Sequence, residues 1–202
     1  MMRRDSGHLV PDHYIGSGSL RLRLPLDLPQ DHFDHCHVVR GYFDLDQLTF
    51  LEDNFLEEQK FTHSTRSLYG ENEASVWISY LNYGHWLHGE FSVLANQVNK
   101  NMLWDFVLSG WLEPIRVLRY EEGDHDSWHQ DYGVHDMTKL SLVAILSSNF
   151  TGGQLEFLNY ETPTLNAGDV IVFPSFVPHR VTPVTSGQRL VAAGFISGPR
   201  FR

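Results

Sequence analysis

The chain has 202 residues and a formal net charge of −10, and 42% of its residues are hydrophobic and 13% aromatic. This length and composition predict one folded globular domain and argue against a disordered chain. The acidic balance argues against non-specific nucleic-acid binding, because contacts to phosphate are made mainly by Lys and Arg.

The cysteine content and the apolar runs of the sequence indicate where the protein works. Cys36 is the only cysteine, so an internal disulfide is excluded, which fits a reducing compartment. No apolar run reaches the length of a membrane span, and the arginines near the N-terminus are not followed by the apolar core of a secretory signal. We therefore expect a cytoplasmic protein without a nucleic-acid or membrane partner. No pattern in the sequence indicates an oligomeric state.

The N-terminal region contains one strand pattern and one cluster of polar residues. Residues 19–28 (SLRLRLPLDL) alternate apolar and charged side chains, which predicts an exposed strand broken at Pro25. The stretch 31–37 (DHFDHCH) holds four side chains that can bind metals, namely His32, Asp34, His35 and His37. We interpret this stretch as a polar loop before a strand, because no partner motif accompanies it.

Two helices are predicted after a short strand at residues 38–43. Asp44 can cap a helix that runs to residue 60, in which apolar side chains recur at helical spacing at Leu48, Leu51, Phe55 and Leu56. A second helix is predicted from Glu90 to Val107, with Phe91, Leu94, Val98, Met102 and Leu103 on one face. The stretch between them, residues 62–88, is rich in aromatic residues and His. It fits either a strand and loop at the mouth of a site, which could form a lid over a substrate, or plain surface.

From Ile115 onward the pattern changes to short strands separated by turn signals. The strands are predicted at residues 115–121, 127–133, 139–147, 149–159, 167–175 and 189–197. Gly152-Gly153, followed by alternating Leu155 and Phe157, is typical of a hairpin. Short strands at this spacing predict a mainly β, two-sheet jelly roll preceded by helices that pack on one sheet. We expect residues 1–202 to form a single domain, with strands and supporting helices in 1–114 and the catalytic core in 115–202.

Candidate ligands for a metal ion lie in the sequence His129-Gln130-Asp131. Alternate side chains of a strand share a face, so His129 and Asp131 can bind one ion together, and His179 is the best third ligand. Two imidazoles and one carboxylate form a facial triad, which suits non-haem Fe(II) that activates O₂. Arg189 stands in an otherwise apolar stretch. A buried guanidinium needs an anion, which points to a dicarboxylate cosubstrate.

These residues belong to an ordered series of motifs. The series runs Tyr120-x-x-Gly123, His129-x-Asp131, Gly152-Gly153-x-Leu155, Gly168-Asp169, His179-x-Val181-x-Pro183-Val184 and Gly187-x-Arg189. Over residues 115–197 the sequence resembles the Fe(II)/2-oxoglutarate dioxygenases, and most of all their prolyl 4-hydroxylase-like (PKHD-type) branch. The resemblance implies a double-stranded β-helix fold.

The resemblance also implies roles for individual residues. His129, Asp131 and His179 match the iron ligands, and Arg189 matches the arginine that pairs with the distal carboxylate of 2-oxoglutarate. Tyr120 matches an aromatic residue near the cosubstrate or the substrate. Some relatives hold the same carboxylate with a tyrosine on the next core strand, which is absent here, so Lys139 or Ser141 is expected to substitute for it.

The reaction that the resemblance implies is hydroxylation of an unactivated C–H bond by Fe(II), O₂ and 2-oxoglutarate, which yields succinate and CO₂, with ascorbate as the reductant. The expected substrate is a prolyl residue in a peptide or protein. Hydroxylation is favoured over halogenation because Asp131 is present. Two alternatives stay open, namely a hydroxylase of a free amino acid or other small metabolite, and a non-enzymatic cupin-like module that binds a metal.

Several residues near the motif have plainer interpretations. Trp128 either shapes the pocket beside His129 or simply packs. Three further residues are expected in solvated loops, namely His125, Asp126 and His135. Four tryptophans are expected in the core or in helix packing, namely Trp77, Trp86, Trp104 and Trp111.

Overall fold

The computed structural model describes residues 2–5, 8–11, 34–58, 60–68, 71–131 and 137–200. The strand predicted at residues 19–28 lies outside these ranges, as do His32 and His135. None of the helices in the described ranges has the length and apolarity that crossing a membrane requires.

Two helices and a set of short strands make up the described ranges. The helices are α1 (Leu45–Glu58) and α2 (Leu87–Asn101). The strands are β1 (Met2–Asp5), β2 (His8–Pro11), β3 (His37–Val39), β4 (Thr62–Leu68), β5 (Glu71–Tyr80), β6 (Gly110–Trp111), β7 (Arg116–Tyr120), β8 (His125–His129), β9 (Thr138–Ile145), β10 (Phe150–Gly152), β11 (Leu155–Phe157), β12 (Val170–Pro174), β13 (His179–Val181), β14 (Val184–Gly187) and β15 (Arg189–Ser197).

The main sheet is antiparallel and runs in the order β11-β13-β8-β5-β7-β15-β9-β12-β3, with β4 beside β5 and β6 beside β15. It curls into a mainly β jelly roll, which confirms the predicted fold class. Two smaller sheets pair β1 with β2 and β10 with β14. The predicted strand at residues 189–197 coincides with β15.

The central strand β9 is buried on both faces, as its continuous apolar run predicts. Leu140 and Leu142 belong to the core that the helices cover. Ile145 belongs to a second core inside the barrel, and Val143 packs against it. On β15, Val191 lies in the same interior core. The odd-numbered residues of β9 and β15 therefore face the barrel interior, where the site residues lie.

The hairpin predicted around Gly152-Gly153 is wrong. β10 pairs with β14 and β11 pairs with β13, so the two strands on either side of these glycines belong to different sheets. Both glycines have positive φ angles, 73° and 59°. A Cβ atom at Gly152 would lie 2.3 Å from the carbonyl oxygen of Pro183. The glycines thus let two strands cross at close range instead of turning back on each other.

The first helix has the predicted cap, whereas the second differs from its predicted bounds at both ends. Asp44 caps α1 as predicted, because its carboxylate accepts from the Gln47 N–H while the Gln47 side chain accepts from the Asp44 N–H. The second helix was predicted at 90–107 but spans Leu87–Asn101. It ends early because the Asn99 side chain bonds both the N–H and the C=O of Phe106, which closes a loop in place of another helical turn.

The described part of residues 62–88 contains two strands, β4 and β5, in agreement with the alternative that placed a strand in this stretch. β4 and β5 are antiparallel neighbours, and β5 completes the barrel wall by pairing with β8 through its first half and with β7 through its second half. Among the described strands, β4 pairs through its backbone with β5 alone. The hairpin therefore lies directly beside the strand that carries His129.

Candidate metal centre

Three side chains meet at one end of the barrel interior. His129 ends β8, His179 begins β13, and their Cα atoms are direct partners in the sheet. Asp131 lies just beyond β8, and its N–H donates to the carbonyl oxygen of Ser175 at 2.8 Å. One ligand atom from each residue lies within 4.8 Å of the other two. The strands thus bring together the three residues that the motif series singled out.

Backbone carbonyls orient both imidazoles. Nδ1 of His129 lies 2.8 Å from the Ser127 carbonyl oxygen, and Nδ1 of His179 lies 2.9 Å from that of Val177. A carbonyl oxygen only accepts, so each Nδ1 carries a proton, and in the neutral form of each ring Nε2 has the lone pair that can bind a metal ion. The Nε2 atoms lie 3.5 and 3.4 Å from the two oxygens of Asp131. Three electron-pair donors therefore converge, which is the arrangement that a bound cation needs.

The electrostatics of the group favour an ionised carboxylate. Burial opposes ionisation of Asp131, but its hydrogen bond with His129, the charges of both histidines and the Ser141 hydroxyl together lower its pKa. Ser141 Oγ donates to Asp131 Oδ2 at 2.7 Å. Burial acts to lower the pKa of His129, but Asp131 and Asp126 raise it overall. The pKa of the more deeply buried His179 is lowered, because burial outweighs attraction to Asp131.

Arg189 lies at the start of β15 and is 2% exposed. It borders a cavity of about 690 Å³, together with Ile145, Ser147 and Leu155. Among the described residues no carboxylate pairs with Arg189, and its guanidinium lies 5.2 Å from the ring centre of Tyr120. Burial lowers its pKa. A buried cation that faces a cavity without a counter-ion is a candidate binding group for an anion.

Tyr120 lies between Arg189 and the metal-binding group. Its Cα atom is the cross-strand partner of Arg189, and its side chain is buried in the barrel core. Burial raises the pKa of the phenol, and the charges of Arg189, Asp126 and Asp131 all act on it. The phenol is therefore neutral at physiological pH and can donate a hydrogen bond inside the barrel.

The structure argues against the predicted role of Lys139 and Ser141 beside Arg189. Ser141 pairs with Phe195 on β15, six residues from Arg189, which is roughly 20 Å at the rise of a strand. Lys139 lies two residues farther away. The hydroxyl of Ser147 instead accepts from the N–H of Leu190, next to Arg189. Sequence reasoning missed Ser147 because it identified the strand but not its register against β15.

Some residues near the motif differ from expectation. Asp126 is not in a solvated loop: it lies on β8, 3.7 Å from His129 Nδ1, and its carboxylate pairs with Arg66 at 2.8 Å. His125 also lies on β8. Trp128 is 41% exposed and packs against the guanidinium of Arg180, which agrees with the simple packing role. Among the described residues the one group of three or more potential ligands is that of His129, Asp131 and His179, so residues 34–37 show no second centre.

A jelly roll that carries two histidines and an aspartate at one end, with a buried arginine farther inside, is the arrangement that the sequence resemblance to the Fe(II)/2-oxoglutarate dioxygenases implies. Residues 115–197 match the family described as the 2OG-Fe(II) oxygenase superfamily. Over these residues the chain is similar to this superfamily, and its motif series resembles that of the PKHD-type branch. The description of this superfamily names 2-oxoglutarate and Fe(II), and the His/Asp/His donor set of this chain fits such an ion.

Curated relatives support the branch. The chain is 35% identical over 106 residues to a PKHD-type hydroxylase of Synechococcus sp. strain CC9902, a match that covers 49% of this chain and 48% of that protein. It is 28% identical over 170 residues to a PKHD-type hydroxylase of Pseudoalteromonas atlantica, covering 70% of this chain and 74% of the relative. The chain thus spans about half the length of the first of these.

Solved structures share the fold. A prolyl-4-hydroxylase of Pseudomonas putida superposes with a TM-score of 0.63 at 20% identity, covering 83% of this chain and 94% of that one. A prolyl hydroxylase of Trichoplax adhaerens, solved with a peptide of hypoxia inducible factor, superposes with a TM-score of 0.62 at 15% identity, covering 81% and 83%. At these identities the likeness shows the fold.

Proposed function

We propose that the chain is an Fe(II)- and 2-oxoglutarate-dependent dioxygenase that hydroxylates an unactivated C–H bond of a prolyl residue in a peptide or protein. The observation that carries the proposal is the convergence of His129 Nε2, His179 Nε2 and the Asp131 carboxylate on one point. Three protein ligands leave positions open for a cosubstrate and O₂. Residues 1–202 act as one domain, with residues 115–202 as the catalytic core, and the single cysteine supports the cytoplasm as its location.

In this proposal His129, Asp131 and His179 hold the iron. The bound Fe(II), with O₂ and 2-oxoglutarate, would supply the oxidation of the C–H bond while 2-oxoglutarate is converted to succinate and CO₂. In the neutral form of each imidazole, the carbonyls of Ser127 and Val177 hold the proton on Nδ1, which leaves Nε2 as the atom that would bind the iron. Ascorbate is the proposed reductant.

Arg189 is the proposed partner of the distal carboxylate of 2-oxoglutarate. Its burial excludes water, and a charge-assisted pair is stronger where the surroundings are less polar. Tyr120 adds a neutral hydroxyl between this end and the iron. Ser141 acts on the other end, since it holds the carboxylate of Asp131.

The prolyl substrate is supported by the relatives. The curated relatives are named PKHD-type hydroxylases, and two solved proteins of the same fold are named prolyl hydroxylases, one of them with a bound peptide. Substrate choice in such folds is made by the site and its surrounding loops, so it needs a direct test.

The test is succinate formation by anaerobically purified protein that receives Fe(II), ascorbate, 2-oxoglutarate and then O₂. Prolyl peptides and a panel of free amino acids are added in parallel, and mass spectrometry follows the gain of one oxygen. Wild type is expected to form succinate and a hydroxylated peptide, and the Asp131→Ala variant neither. If only a free amino acid gained an oxygen atom, the protein would be a hydroxylase of small metabolites rather than of prolyl peptides. Metal binding without succinate would indicate a cupin-like binding module.

A further inference from the structure

The strand pair that carries the two histidines contains an irregularity. His129 of β8 is opposite His179 of β13, and Asp126 is opposite Val181. Two residues of β8, Ser127 and Trp128, therefore face the single residue Arg180 between those pairs. Such an extra residue is a β-bulge, and bulges are used near functional sites to redirect a side chain.

The bulge determines which side chain enters the barrel. Asp126 faces the interior, because its Cα partner Val181 belongs to the interior core and its carboxylate lies 3.7 Å from His129 Nδ1. In a regular strand, residue 128 would face the interior with Asp126, and residue 129 would face outward. The extra residue reverses this alternation, so that Trp128 is exposed and His129 lies beside His179.

Three side chains cover the bulge on the outer face. The guanidinium of Arg180 lies 4.8 Å from the ring centre of Trp128. Its Nε and Nη2 atoms each lie 2.7 Å from Oε2 of Glu156, which is the cross-strand partner of Arg180 on β11. The stack thus crosses β8, β13 and β11, directly behind the strands that carry both histidines.

We propose that the stack of Trp128, Arg180 and Glu156 is a register lock, which holds the bulge and so keeps His129 turned toward His179. The backbone contributes little to this register, since two Cα pairs separated by the irregularity join β8 to β13. A slip by one residue would turn Trp128 inward and His129 outward. The three are positioning residues, and the inference rests on the proposed function only in taking His129 as a metal ligand.

The lock is tested by Co(II) binding, because Co(II) accepts the same N and O ligands as Fe(II) and its visible spectrum reports the ligand set. Arg180→Ala and Trp128→Ala are expected to weaken Co(II) binding about tenfold or more, as outer partners of metal ligands do, and to change the spectrum. Trp128→Phe keeps an aromatic ring under Arg180 and is expected to restore affinity.

The control is Arg40→Ala, which removes another exposed arginine paired with a carboxylate, that of Asp169 at 2.7 Å, remote from β8. It is expected to leave Co(II) affinity and spectrum unchanged. If Arg180→Ala does not fold, Arg180→Lys, which keeps the charge but loses the planar stack, takes its place with the same expectation. Wild-type affinity and spectrum in both Trp128→Ala and the Arg180 variant would overturn the lock.

Amide hydrogen exchange separates this inference from the proposed function, because it needs no metal. The amides of residues 126–129 are expected to exchange faster in Trp128→Ala than in wild type or Arg40→Ala. Unchanged exchange would overturn the lock even if the enzyme is active. If Co(II) did not bind to wild type, or bound without depending on His129, the proposed function would fail. The exchange result would still decide whether the lock exists.

Discussion

The two ends of the polar interior differ in how their charged groups are satisfied. Around Asp131, each of the three candidate ligands has a partner in the protein, from backbone carbonyls or from Ser141. Arg189 is more deeply buried than these ligands, yet among the described residues its partner is the face of Tyr120 rather than a carboxylate. One end is organised before any ligand binds, whereas the other carries a charge that a ligand must neutralise. Ligands should therefore affect the stability of the two ends differently.

Removing Asp131 from the metal-binding end is expected to have the largest effect, which is a loss of metal affinity. Asp131→Ala leaves two imidazoles without their carboxylate. Loss of a residue that only orients a metal ligand typically lowers metal affinity about 10- to 100-fold, and we expect a larger fall here because a ligand itself is removed. Isothermal titration with Co(II) measures it. Arg40→Ala again serves as the control. Retained Co(II) affinity in the Asp131 variant would mean that the metal site lies elsewhere.

Arg189→Met removes the proposed anion-binding group, because it replaces a buried cation with an apolar side chain. Losing one partner of a buried charge pair costs about 2–5 kcal/mol of binding, so 2-oxoglutarate affinity should fall at least about 30-fold. Without ligand, the variant should melt at the same temperature as wild type or higher, because the unpaired charge is gone. Thermal melts with and without 2-oxoglutarate test both points. A large loss of stability in the ligand-free variant would contradict the comparison.

Two serines allow a matched comparison of the ends. Ser141→Ala removes a donor to the Asp131 carboxylate, and a hydrogen bond to a charged group contributes about 1.5–3 kcal/mol. We expect metal affinity to fall about tenfold with 2-oxoglutarate affinity little changed. Ser147→Ala, at the backbone next to Arg189, should show the opposite pattern. Equal effects of both substitutions on both ligands would show that the ends are not separable.

The smallest expected effect is the pH dependence of stability that a histidine outside the barrel contributes. This contribution must be known before the pH dependence of the metal end can be interpreted. Nε2 of His88 accepts from the Ile115 N–H at 3.1 Å, and burial lowers the His88 pKa. Because the folded pKa lies below the unfolded one, the associated stability is present above about pH 6.5 and is lost as pH falls below it. His88→Gln should reduce this loss between pH 7.5 and 5.5 in urea unfolding. An unchanged pH dependence would assign the loss to other groups.

Strand patterns predicted much of the fold, and the misses share a cause. The bounds of β15 and the cap at Asp44 followed from local patterns, because apolar alternation and capping are properties of short segments. The hairpin at Gly152-Gly153 was wrong because the choice of partner strand is not local. Asp126 was misassigned to a loop for the same reason, since its carboxylate pairs with Arg66 on β4, a strand distant in the sequence.

The sequence by itself determined the residue types of the metal centre and the order of the motifs, because ligand chemistry and the spacing of His129, Asp131, His179 and Arg189 are written along the chain. The tertiary structure alone decided the register. It placed Ser141 at Asp131 and Ser147 at Arg189, and it turned His129 inward and Trp128 outward through a bulge. Register depends on pairing between distant segments, and a shift of one residue exchanges the two faces of a strand.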